Sequence, residues 1–249
     1  MSRVIFFGLL LSLYATQLVA DEAQSNIPAI QRETRDVLGW TLHINTELLT
    51  REPKATKLAI TLLKKQLAEI VRDVPEPAVV ELKKVPLYFS PSYPGDPTGA
   101  AFHPSAQWLR EHGRDPVMER SIEFTNIPIF EAETKRMPNF ALHELAHAYH
   151  NIVLKDGFNN AIVIAAYDRA KQSKSYDRVE QFTGVKGKSN FMMAYAMANQ
   201  MEYFAESSEA YFSKNDFFPF NRSQLKTHDP EMVEVLIELW GVKESSKKE

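Results

Sequence analysis

The chain has 249 residues, 44% of them hydrophobic, enough to bury a core and consistent with one domain plus an attached segment or with two small ones. Its net charge of −3 shows no basic excess, which argues against a nucleic-acid partner. There is no cysteine, so disulfides, cysteine-ligated zinc and cysteine nucleophiles are excluded, and an exported form must rely on its core, helped at most by a metal.

Residues 1–20 read as a secretory signal. Arg3 gives the positive end, an apolar run follows over 4–15, and Val19-Ala20 ahead of Asp21 offers a cleavage point. The alternative is an uncleaved anchor, since the uncharged stretch 4–20 reaches the lower edge of a membrane span. With cleavage, the expectation is a secreted or periplasmic protein with no stable membrane insertion.

Residues 21–75 are expected to form an N-terminal helical segment. Val37, Trp40, Leu42, Leu48 and Leu49 fit helical spacing over 30–49, and Leu58, Leu62, Leu63, Leu67 and Ile70 do so over 57–71. Arg51-Glu52-Pro53 separates the two, and Pro75-Glu76-Pro77 ends the second. Residues 76–249 are the expected main domain. Within it, 79–89 reads as an edge strand interrupted by Pro86, 90–99 as a loop, and 100–103 and 121–126 as short strands. After Pro138 nearly everything reads as helix, and the charged end, 244–249, as a frayed tail. Trp40, Trp108 and Trp240 are expected in the core, and His103 reads as a loop histidine or a cleft-lining one.

The chemistry concentrates in His143-Glu144-Leu145-Ala146-His147. Leu142, Leu145, Ala146, Tyr149 and Ile152 give a helix here one apolar face. His143 and His147 then stand one turn apart, roughly 5–6 Å between Cβ atoms, so both imidazoles can reach one zinc ion. Glu144 lies about 100° round the helix, beside the metal, where a carboxylate can move the proton of an attacking water.

A catalytic zinc needs a third protein ligand and an open position. Position 153 is valine, which rules out a third histidine six residues after His147. His150 is a further turn along and reads as a supporting or packing histidine. From 148 to 179 there is no glutamate. The stripe Glu202, Glu206 and Glu209 is a candidate source, because its like charges repel and no lysine or arginine lies between Lys188 and Lys214. A solvated acidic face, with Asn199 as cap and Glu202 closing a capping box, is the competing explanation.

His143-Glu144-Leu145-Ala146-His147 followed by Glu202-Tyr203-Phe204-Ala205-Glu206 resembles the gluzincin metallopeptidases of the anthrax lethal factor type. The resemblance covers roughly residues 137–213, extends more loosely from Val79 onward and through 216–230, and does not reach 21–75. It implies an α+β, mostly helical zincin-like fold with a small mixed sheet preceding the active-site helix. It also implies one Zn2+ per chain on His143, His147 and Glu202, with Glu144 as general base and acid. Tyr195, seven residues before Glu202, would stabilise the transition state, and Glu206 would steady a ligand histidine. The implied activity is peptide-bond hydrolysis on a peptide or protein substrate. The alternative is an exported zinc-binding scaffold whose site is structural or lapsed, closed by His150, His103 or Glu206.

Overall fold

The computed structural model describes residues 30–96 and 99–243. Residues 1–20, expected to be a signal, and the charged end, 244–249, lie outside the described residues.

The chain opens on a hairpin of β1 (Arg32–Val37) and β2 (Trp40–Asn45), paired antiparallel. The helix expected over 30–49 is therefore overturned. Trp40, Leu42 and Ile44 are buried while Thr41 is exposed, which is the period-two pattern of a strand. Leu38 and Gly39 at the turn have φ of 59° and 91°, the two positive values a tight hairpin turn requires. Only the last part of that stretch is helical, in α1 (Thr46–Arg51), where the Asn45 side chain caps the start by accepting from the Glu47 N–H.

α2 (Pro53–Asp73) starts on the proline that separated the two expected helices. The next departure is at 79–89. Pro75-Glu76-Pro77 ends α2 but also starts α3 (Glu76–Leu82), because proline is tolerated in a first helical turn. The strand is confined to β3 (Leu87–Phe89), and it is central rather than at an edge. Pro86 lies just before it, where no ladder N–H is needed, and its carbonyl accepts from the Ile122 N–H at 3.0 Å.

β4 (Ala100–His103), α4 (Ala106–Glu111) and β5 (Ser121–Phe124) complete a mixed sheet of order β1-β2-β3-β5-β4. β3 is parallel to both neighbours, and β4 runs antiparallel to β5 at the far edge. α5 (Phe130–Arg136) leads to α6 (Phe140–Ile152), the helix that carries the two histidines. α7 (Ala161–Ser173) follows, then a second hairpin of β6 (Val179–Phe182) and β7 (Ser189–Met192) where helix was expected. Gly184 and Gly187, at φ of 82° and 77°, allow its turn. α8 (Gln200–Phe212), α9 (Arg222–His228) and α10 (Pro230–Trp240) close the chain. The fold is α+β with a small mixed sheet, and the described residues from Arg32 onward form one compact unit, so α2 belongs with the helices that follow it. No helix among the described residues is long and apolar enough to cross a membrane.

Two packing features place α6. At its start, Asn139 caps the helix by accepting from the Leu142 N–H, while its own amide donates to the Gln66 carbonyl of α2. Gln66 in turn accepts from the Ala141 N–H, so α2 satisfies donors that a helix N-terminus leaves open. At its other end Tyr149 stacks on Trp240 at 4.1 Å, and Trp240 donates through its ring N–H to Ser208 of α8 at 3.1 Å. α10 thereby clamps α6 to α8, and Tyr203 to Phe212 of α8 are buried all round rather than along one stripe. Trp40 and Trp240 are core residues as expected, but Trp108 is 40% exposed, stacked on His112.

Candidate active site

His143 and His147 sit one turn apart on α6, both buried, with their Nε2 atoms 3.1 Å apart. Glu202, in the first turn of α8, presents Oε2 at 3.2 Å from each of those nitrogens. The helix pairing thus brings together three residues that are far apart in sequence. Glu202 does not close a capping box. Asn199 caps α8 by accepting from the N–H groups of Met201 and Glu202, which leaves the Glu202 carboxylate free to turn toward the histidines.

The three donor atoms can hold a metal ion. His143 Nδ1 lies 2.9 Å from Glu209 Oε2, on the side away from the cluster. A carboxylate there accepts from Nδ1–H, which in the neutral ring would leave the Nε2 lone pair for a metal, as a ligand histidine requires. The resemblance assigned this steadying role to Glu206, but Glu206 Oε1 stands 3.9 Å from Nδ1 and its other oxygen accepts from the Asn215 amide at 2.9 Å. Glu209 is seven residues beyond Glu202, two turns along the same helix face, and that spacing was the available signal for it.

Glu144 faces the sheet. Its Oε2 accepts from the Phe102 N–H of β4 at 2.8 Å, so the edge strand holds this carboxylate beside the histidines. Glu144 and the three donor residues line one cleft of about 770 Å³. β4 forms one wall, and Gln181 and Met192 of the β6–β7 hairpin lie on the lining as well. Tyr195, on the 3₁₀ turn Tyr195–Met197, also lines it and is half exposed. Burial and the Glu202 charge raise the Tyr195 hydroxyl above its ordinary value, so it stays protonated as a hydrogen-bond donor. Arg136 reaches the cleft too, paired with Glu133 at 2.7 Å and with Asp216.

Two other candidate histidines, His150 and His103, lie away from the donor atoms. His150 is fully buried, its ring nitrogens have no hydrogen-bond partner, and it packs on Phe158 and Phe204. Burial, with the nearby His147 charge, pushes it down to about 4, so it is a neutral packing residue. His103 ends β4 rather than sitting in a loop, and it pairs with Glu123 at 2.9 Å.

The electrostatics of the cluster are those of acids forced together out of water. Burial pushes Glu206 up to about 8 and Glu209 to about 7, despite the His143 charge that opposes it. Burial would also raise Glu202, but hydrogen bonds from His143 and His147 outweigh it and hold that carboxyl well below the usual range. For His143, burial works against the charged form, and the hydrogen bonds to Glu202 and Glu209 overcome it and raise the ring well above 6.5.

These shifts fix the sign of a pH dependence in the metal-free protein. His143, Glu206 and Glu209 each bind a proton more tightly folded than unfolded. Their contribution is complete below the unfolded values of 6.5 and 4.5 and is lost as pH rises through the raised folded ones. The lowered Glu202 acts in the opposite sense only below 4.5, and the lowered His150, His43 and His228 do so only below 6.5. Chelated protein is expected to lose stability from roughly pH 7 to roughly pH 9, read as a falling urea midpoint. A midpoint that rises over that window contradicts the arrangement.

The chain matches no family model, no curated protein and no solved structure in comparison.

Proposed function

We propose that the protein is a zinc-dependent peptidase, acting outside the cytoplasm on peptide or protein substrates, with a zincin-like fold. The observation that carries this reading is the donor triangle of His143, His147 and Glu202, with sides of 3.1, 3.2 and 3.2 Å. Ligand atoms about 2.0–2.1 Å from a tetrahedral zinc stand roughly 3.3 Å apart, so two nitrogens and one oxygen already have the spacing of a three-ligand site. Among the described residues this group holds only those three, and the residues that could close a fourth position point elsewhere. His150 packs on aromatic rings, His103 binds Glu123, and Glu206 binds Asn215. This supports an open site over the scaffold alternative.

Bound at these residues, zinc supplies Lewis acidity, polarising a scissile carbonyl and making water acidic enough to deprotonate near neutral pH. Glu144 accepts the proton of the attacking water and returns it to the leaving nitrogen. The Phe102 N–H holds the carboxylate aimed for the first of these steps. The Tyr195 O–H donates a hydrogen bond to the oxygen that gains charge as the carbonyl becomes tetrahedral. An extended substrate would add as a strand to β4, an edge strand on the cleft wall. The segment 79–89, read from sequence as an edge strand, cannot play that part because β3 is paired on both sides.

A titration of the zinc-loaded protein with a small hydroxamate separates the open from the closed site. Inhibitor uptake at one per chain is expected, and refusal of the inhibitor by a zinc-loaded protein favours the scaffold. Glu209→Gln should weaken zinc binding by roughly 10–100-fold, since it removes the charge behind His143 while keeping the shape. Competition against a chromophoric chelator reads this, and an unchanged affinity removes Glu209 from the site.

A further inference from the structure

β4 is four residues long, has one neighbouring strand, and carries two alanines, Ala100 and Ala101. The partly buried alanines specify register weakly, so the register rests on the two buried residues, Phe102 in the core against Phe158 and His103 on the opposite face. The strand also bears the N–H that holds Glu144, at 2.8 Å. A slip by one residue would exchange the backbone groups that face β5 for those that face Glu144.

On the face of β4 opposite Phe102 lies a buried ionic cluster with no part in the proposed chemistry. Glu123 of β5 is wholly buried, and its carboxylate meets three segments. Oε2 lies 2.9 Å from His103 Nε2, in β4, and accepts from Arg114 Nη1, beyond α4, at 2.7 Å. Oε1 accepts from the Tyr93 hydroxyl, in the loop leading into β4, at 2.7 Å. Arg114 is also paired with Asp96 of that loop, and its guanidinium lies 4.4 Å from the Tyr93 ring centroid.

Burying a carboxylate with a guanidinium is a poor way to gain stability, since apolar side chains of similar volume serve as well or better. What such a cluster does supply is a unique geometry. His103 can reach Glu123 in one register only, and that register places the neighbouring Phe102 N–H on Glu144. We infer that Glu123 and His103 are positioning residues. They lock the register of β4, and with it the seat of the Glu144 carboxylate on the other side of the sheet. The mechanistic consequence rests on the proposed peptidase reading, whereas the grip on β4 does not.

The test is amide hydrogen exchange on zinc-loaded protein, with peptide turnover beside it. His103→Leu fills the space without the hydrogen bond, His103→Gln restores a donor, and His103→Asn, too short to reach Glu123, serves if His103→Leu does not fold. In His103→Leu, or in His103→Asn in its place, the Phe102 amide should exchange at least tenfold faster, while amides of the β2–β3 pair keep their rates. His103→Gln should recover most of the protection. Turnover should fall on the order of tenfold to a hundredfold in kcat with KM little changed, as expected when a base is misplaced by a fraction of an ångström. Uniform acceleration across β2, β3 and β4, or no change at Phe102, overturns the inference. If the wild-type protein holds zinc but cleaves no peptide, the peptidase reading fails, and the exchange rates still decide whether the cluster sets β4.

Discussion

Glu144→Gln is expected to fold, to bind zinc as the wild type does, and to hydrolyse peptides about 10²–10⁴ times more slowly. The two halves of this result come from different parts of the structure. Zinc retention follows because Glu144 is not among the three donor residues, and because glutamine keeps an oxygen able to accept from the Phe102 N–H. Loss of turnover follows because an amide cannot take a proton from water at neutral pH. The measurement is steady-state hydrolysis with zinc content on the same sample. A variant that holds zinc and keeps full turnover would remove Glu144 from the chemistry. One that loses its zinc would mean that the carboxylate acts as a ligand instead.

Glu202→Gln should have the largest effect on metal binding. Removing a partner behind a ligand costs about 10–100-fold in affinity, and Glu202 is itself one of the three donors, so the loss should exceed a hundredfold. The charge matters as well as the oxygen. In the metal-free protein the two imidazoles hold the Glu202 carboxyl well below its ordinary value, which shows how strongly this position favours an anion. The side chain is 15% exposed at the cleft and the backbone is capped by Asn199, so the fold should survive. Zinc competition on the folded variant checks this. An affinity within a few-fold of wild type would mean that the third ligand is elsewhere.

The histidine helix was legible from sequence because two signals agreed there: apolar spacing of three and four, and ligand spacing of four. Glu202 as a candidate ligand was visible as one member of an unbalanced acidic stripe, and the structure turns it to the histidines. What the sequence hid is mostly what depends on a partner element. Trp40 and Leu42 satisfy a helical pattern with Leu48 and Leu49, yet with Ile44 they also satisfy a strand, and the paired hairpin decides between the two. Pro86 suggested an edge strand, but a proline one residue outside a strand is compatible with its centre. The seven-residue step from Glu202 puts Glu209 on its face, but the choice between Glu209 and Glu206 is made by the packing of α8 on α6, which brings Glu209 to His143 Nδ1. The bond from Phe102 to Glu144 uses a backbone N–H, which no side-chain pattern reports. The Glu123 cluster draws on four separate segments, and none of its residues carries a local motif.

The most direct measurement is zinc content by mass spectrometry together with a peptide-library digest run with and without chelator. The proposed site predicts one zinc per chain, cleavage of the library, loss of cleavage on chelation and recovery when zinc is returned. A chain that binds zinc one-to-one and leaves every peptide intact, or one that cleaves equally well without metal, would contradict it.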